Sequence, residues 1–151
     1  MPTTDLLLAG TTLSTDAVRS EGDIASIVLD TDGRQKVSNK PVTPSAYNLT
    51  STASTNASSI KTSPGSLYEI SVFNPTAAVI YLKLYNKTTT PTVGTDVPLA
   101  VIPVPVNGQV TIEYGVGKRF SNGIALATTL GPLSTDVAAI AVGALISASY
   151  L

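Results

Sequence analysis

Residues 66–87 read "SLYEISVFNPTAAVIYLKLYNK". The first half alternates: Tyr68, Ile70 and Val72 share one side of an extended chain, opposite Glu69, Ser71 and Phe73. A period of two is the mark of a strand with one buried face. Asn74-Pro75 ends the run, because proline lacks an amide donor and pushes the preceding residue out of helical geometry. The second half alternates again, with Ile80, Leu82 and Leu84 toward a core and Val79, Tyr81, Lys83 and Tyr85 on the outer side. That outer side is amphipathic, two tyrosine rings flanking a lysine whose stem can lie along them. Two strands joined by a proline turn predict an all-β protein.

Downstream, "NKTTTPTVGTD" reads as a sheet corner, and "LAVIPVPVNG" sets Pro103 and Pro105 two residues apart. Prolines at that spacing belong to an edge strand, where a missing donor costs no ladder bond. Asn107-Gly108 predicts a hairpin turn into "QVTIEYG", with Val110, Ile112 and Tyr114 inward against Gln109, Thr111 and Glu113. The glycine-broken "GVGKRFSNG" reads as a surface loop. "IALATTL" and "VAAIAVGALISASYL" are expected to supply the last strands, although Ala, Ile and Leu in the second would also suit a buried helix. Short strands punctuated by Pro and Gly predict a small antiparallel β-sandwich of jelly-roll type.

Upstream the composition changes. Residues 38–66, "SNKPVTPSAYNLTSTASTNASSIKTSPGS", are mostly Ser, Thr, Asn, Ala and Pro, the composition of a linker or of a segment ordered by a partner. Before them, "DIASIVLDTDGRQKV" reads as a hairpin turning at Asp32-Gly33. The expected division is an extended N-terminal arm over residues 1–64, with a hairpin and a Ser/Thr-rich linker, and a sandwich domain over residues 65–151. Deleting residues 1–60 is then expected to leave a folded domain.

Hydrophobic residues make up 43% of the chain and charged ones 13%, about half the charged share of ordinary globular chains. A surface so poor in charge favours lasting contact with protein, and self-association, as a trimer, is expected. Nine Lys and Arg against ten Asp and Glu leave a net charge of −1 with no basic run, which argues against nucleic-acid binding through phosphates. The chain has no Cys and no His. Thiolate chemistry, the commonest general base and the commonest transition-metal ligand are therefore missing, so neither an enzyme nor a cofactor is expected. The run Leu6–Ala9 is too short for a signal peptide. The apolar end from Val137 to Leu151 is 15 residues long, against the roughly 20 that a spanning helix needs. The expectation is a soluble chain, used without export and without a membrane partner.

The chemical motifs are weak. Asp30-Thr31-Asp32-Gly33 begins like a calcium loop, but Arg34, Gln35 and Lys36 follow where oxygen ligands are required. Sequons begin at Asn48, Asn56 and Asn86, with no secretory signal beside them. Glu69 and Glu113 on adjacent strands would form a glycosidase-like pair, yet both belong to outward faces, where glutamate ordinarily meets solvent. There is no G-x-S-x-G elbow. Gly115-Val116-Gly117-Lys118-Arg119 lacks phosphate-loop spacing and reads as a basic loop tip suited to an acidic protein patch. "LSTD" occurs at residues 13–16 and 133–136, a match best explained by shared turn chemistry. The candidate protein-contact residues are Phe73, Tyr81, Lys83, Tyr85, Lys87, Lys118 and Arg119.

The strings "LYEISVFN", "AAVIYLKLYNK", "PTVGTDVP" and "GIALATT" resemble a recurring group of tailed-bacteriophage virion structural proteins, over roughly residues 65–151. The resemblance implies a small β-sandwich on the outside of a capsid or tail and carries over no catalytic residue. It leads to the expectation of a capsid cement or decoration protein. The expected partner is the major capsid protein, and the expected location is the capsid surface of a virion after synthesis in the host cytoplasm. A tail, baseplate or fibre component, bound to tail proteins, and a host-glycan-binding module are the alternatives.

Overall fold

The computed structural model describes residues 43–151. Eight strands follow one another: β1 (Ser45–Thr50), β2 (Ser58–Lys61), β3 (Gly65–Asn74), β4 (Ile80–Asn86), β5 (Ala100–Val104), β6 (Gly108–Phe120), β7 (Ile124–Thr129) and β8 (Leu145–Tyr150). No helix occurs among the described residues. The strands form two antiparallel sheets of four, in the orders β1-β8-β3-β6 and β2-β7-β4-β5. The pairings are nested. β1 lies beside β8, β2 beside β7, β3 beside β6 and β4 beside β5, while β3 with β8 and β4 with β7 join the pairs into sheets.

The core lies between the sheets. Ile70 and Val72 of β3 and Ile146 and Ala148 of β8 meet Leu82 and Leu84 of β4, Ile102 and Val104 of β5, and Ile124 and Leu126 of β7. Each side chain sits where the alternation puts it. β7 is buried at every position, because it is an inner strand covered on both faces. Burial of these aliphatic side chains contributes on the order of 2 kcal/mol apiece.

Several expectations need correction. Residues 45–61, expected to belong to a linker, supply β1 and β2, one strand to each sheet. Their sparse apolar residues, Tyr47, Leu49 and Ile60, all reach the core cluster, so a peripheral strand needs little hydrophobic content once its neighbours provide it. A cut at residue 60 therefore falls inside the sandwich. The hairpin expected over residues 24–37, the Asp30–Gly33 motif and the first "LSTD" lie outside the described residues.

Tyr68 does not share a face with Ile70. The β3–β6 register slips between Leu67 and Glu69, and this bulge turns Leu67 inward, fully buried, in place of Tyr68. An inserted residue reverses face parity beyond it. On β6 the same irregularity takes up Tyr114–Gly117, so "GVGKRF" is the bulged end of a strand and not a loop. Gly117 sits there at φ +78°, where an added Cβ would lie 3.0 Å from the Cβ of Ser66 and from the Tyr68 ring. Val116 is 95% exposed at the tip.

Asn107-Gly108 makes the expected tight turn, with Asn107 at φ 49° and the Gly108 amide donating to Pro105 O at 3.2 Å. The flanking strands do not pair with each other: β5 lies in one sheet and β6 in the other, so the turn is a corner between sheets. Asn74 secures that corner. Its buried amide donates to Ala78 O at 2.8 Å, Pro105 O at 3.0 Å and Val104 O at 3.3 Å, and its Oδ1 accepts from Thr76 N at 3.0 Å. β5 is an edge strand with Pro103 exposed, in keeping with the proline spacing. The alanine-rich end forms β8 from Leu145 onward, and residues 137–144 contain no strand.

Candidate interaction surface

The two sheets turn different outer faces away from the core. On the sheet β1-β8-β3-β6 the register stacks outward residues into rows across the strands. Thr50, Leu145, Phe73 and Gln109 form one row; Asn48, Ser147, Ser71 and Thr111 the next; Ala46, Ser149, Glu69 and Glu113 a third. The first row is partly apolar, with Phe73 39% and Leu145 50% exposed. The second is a hydroxyl ladder, in which Ser71 Oγ and Thr111 Oγ1 lie 2.9 Å apart and Gln109 Nε2 donates to Ser71 Oγ at 2.9 Å. A groove of about 670 Å³ follows the first two rows, floored by Leu49, Phe73, Leu145 and Ile146.

The third row sets Glu69 directly across from Glu113, the juxtaposition that alternation allowed. Like charges at opposed positions destabilise a strand pair, so the pair is a cost to the fold. Tyr68, Tyr114, Gly115, Pro44 and Ser149 complete an open dish of about 320 Å³ around the two carboxylates. Lys118 stands beside it, its Nζ 5.7 Å from the centre of the Tyr114 ring, within cation–π range. Arg119 is exposed on β6, in register with Ser66.

The outer face of the other sheet is closed over. Tyr81, Lys83 and Tyr85 share it, but Lys83 is 0% and Tyr85 1% exposed, and Tyr81 is half-buried. The expectation of a solvent-facing tyrosine–lysine–tyrosine surface is therefore corrected. Two connections lie on the face. The segment after β7 presents the carbonyls of Leu133 and Asp136 to Lys83 Nζ, at 2.6 and 3.1 Å. The segment after β4 brings Val93 against Tyr85 in a small cluster with Ala57, Ala125 and Ala127. Alternation placed these side chains correctly on the face away from the core, but it carries no information about loops. The alanines at 125 and 127, opposite Tyr85 and Lys83 in register, leave room for the two long side chains.

Burial lowers the Lys83 pKa, and the negative charge of Asp136 partly opposes that shift. Asp136 also orders the turn, its Oδ2 accepting from Leu133 N at 2.6 Å while its own amide donates to Leu133 O at 3.1 Å. This is the chemistry of the second "LSTD". Tyr85 is raised above the ordinary phenol value by burial first and by the charge of Asp96 second. Its hydroxyl has no hydrogen-bond partner among the described residues. Lys87, half-buried, pairs with Asp96, whose Oδ2 also accepts from Thr92 N at 2.6 Å. These two bonds hold the Asp96 carboxyl below its ordinary value, the Lys87 bond acting most strongly.

The seven expected contact residues thus fall in three places: Phe73 on the open face, Lys118 and Arg119 at its bulged edge, and Tyr81, Lys83, Tyr85 and Lys87 on or beside the covered face. Leu145, Ser147 and Gln109 stand on the open face with Phe73 and Ser71 but were not among the seven. Their signal is the register, which aligns them with Phe73 and Ser71 and cannot be read from one strand alone. Among the sequons, Asn86 is engaged by Ser121 Oγ at 2.8 Å and by Asn122 N at 2.9 Å, and Asn56 closes its own turn on Thr52 and Ser54. No group of three or more acidic side chains suited to a metal ion occurs among the described residues. Comparison of the chain with protein-family models, curated proteins and solved structures returned no match.

Proposed function

We propose that this chain is a non-enzymatic structural protein of a bacteriophage virion, a capsid cement or decoration protein that binds the outside of the major capsid shell and stabilises it. The observation that carries the reading is the strand order, β1-β8-β3-β6 facing β2-β7-β4-β5. A ribbon of nested antiparallel pairs rolled over on itself gives this order, which supports a jelly roll of two Greek keys, an architecture used by viral capsid and lectin domains. The virion strings named above and the sparse charge agree with it. The mechanism is mechanical. The open, hydroxyl-lined face around Phe73 and Leu145 seats on the shell, and repetition over a symmetric lattice turns modest contacts into avidity. Any strap reaching a neighbour comes from the residues before Thr43, since residues 45–61 belong to the sandwich as β1, β2 and the turn between them.

Shells assembled from the major capsid protein alone are expected to bind added protein to saturation on their outer surface and then to survive heat or low salt that opens bare shells. Shells that neither bind it nor gain resistance sink the cement reading. Saturable labelling of tails in place of shells would move the same module to a tail, baseplate or fibre.

The dish around Glu69 and Glu113 favours a second reading, a host-glycan-binding module, because tyrosine rings beside carboxylates suit the faces and hydroxyls of sugars. Saturable binding on a glycan array, lost on Tyr68→Ala and Tyr114→Ala, would support it over cementing.

A further inference from the structure

The four sheet edges are not equally defended. An edge strand exposes unpaired amides and carbonyls that template another strand, and proteins blunt such edges with proline, charge, bulges or short length. β5 carries Pro103, with Pro105 just beyond its end. β2 is four residues long, and its register breaks between Ser59 and Lys61. β6 contains the Tyr114–Gly117 bulge and bears Glu113, Lys118 and Arg119. β1, "SAYNLT", has none of these devices within its span, with Pro44 just before it: six residues without proline or charge, in unbroken register with β8. Among the described residues its backbone bonds to β8 alone.

We infer that β1 is the edge at which a second copy of this chain docks, Ser45–Thr50 pairing antiparallel with the same strand of the copy about a two-fold axis. Two identical strands set antiparallel are self-complementary in hydrogen bonding, and a two-fold contact brings the same patch of both copies together. The residue on the axis then meets its own twin, and its neighbours meet the residues equally far beyond it, so a charge near the axis would repel its copy. β1 has no charge to repel, whereas β6 would bring like charges together.

The side chains agree. Tyr47 and Leu49 are half-buried at the open flank and already touch the core. An axis perpendicular to the sheet sets them beside their copies on the inner face and completes their burial. On the outer face Ala46, Asn48 and Thr50 are all exposed and uncharged, and the groove lined by Asn48, Leu49 and Thr50 continues into its twin. The inference keeps the self-association expected of this charge-poor chain but sets a two-fold dimer in place of the expected trimer. It requires no shell, so it stands or falls separately from the cement reading.

The chain has no cysteine, so one introduced thiol can link only to its own copy. Full-length Asn48→Cys is expected to oxidise to a covalent dimer at micromolar concentration at least tenfold faster than Val116→Cys, an exposed thiol on the β6 bulge. In sedimentation, the unmodified chain is expected as a dimer and Asn48→Lys as a monomer, with equimolar Asn48→Lys and Asn48→Glu recovering the dimer. Overturning results are a monomeric unmodified chain, a trimer indifferent to Asn48→Lys, or equal oxidation at both positions. A chemical cross-link from position 48 to residues 1–42, in place of a second position 48, would show the arm on this edge and overturn it equally.

Discussion

The two outer faces of the sandwich come from strands of much the same alternation, yet among the described residues one is covered and the other bare. On β4 the positions away from the core hold Lys83 and Tyr85, both buried. On β3 the equivalent positions hold Glu69, Ser71 and Phe73, all at least partly open to solvent. The difference lies in the connections. Those after β4 and β7 are long enough to fold back, and Lys83 holds the second by two carbonyls. A face that the chain covers for itself is part of the structure, and a face left bare is available to a partner.

The most severe test of that division is truncation. Removing residues 1–42 is expected to leave a folded protein with a cooperative thermal transition, because both sheets keep all four strands. Removing residues 1–60 takes away β1 and most of β2 and exposes the core at Tyr150, Ile146 and Leu126, so loss of the transition in calorimetry is expected. A folded 61–151 fragment would show that the two edge strands are dispensable.

The sequence legibly fixes the face of nearly every core residue, since alternation in β3, β4 and β5 is local and strong. It does not fix partners. Asn107-Gly108 announces a turn, but whether a turn joins neighbours in one sheet or crosses between sheets depends on which strands pair, and that is a long-range choice. The bulge at Tyr68 is equally hidden, because an extra residue in a strand leaves the residue types unchanged. Lys83 was legible as a side chain pointing away from the core and illegible as buried, since the carbonyls that satisfy it lie some fifty residues downstream in an apparently ordinary turn.

On the covered face, Lys83→Ala is expected to cost about 3 kcal/mol in denaturant unfolding, from lost packing of the stem and two carbonyls left without a donor. Lys83→Met keeps most of the packing and should cost about 2 kcal/mol. If both variants match the unmodified protein, the loop after β7 is not held by the ammonium.

Tyr85 supplies a smaller effect with a definite sign. Its phenol ionises in the unfolded chain near 10.0 and only at higher pH in the folded protein. Above that value the unfolded state holds fewer protons than the folded one, so the contribution present at neutral pH is lost as pH rises through the folded value. Tyr85→Phe is expected to flatten this fall. At pH 7 it should be neutral or stabilising by up to about 1 kcal/mol, since a buried hydroxyl without a partner is removed. Chemical denaturation at pH 7 and pH 11 separates the two effects, and a variant that falls with pH as steeply as the parent would assign the titration elsewhere.

The bare face should respond least. Phe73→Ser and Leu145→Ser each remove a side chain that is 39% or 50% exposed, on the side away from the core, and both changes are expected to shift stability by no more than about 0.5 kcal/mol. The same substitutions are expected to weaken binding to shells by tenfold or more, because an apolar pair on a hydroxyl-rich surface is where desolvation concentrates binding energy. Stability unchanged and binding lost would separate the two faces cleanly. Binding unchanged would move the docking surface off this sheet, toward the exposed Leu133 and Val137 on the connection that Lys83 clamps.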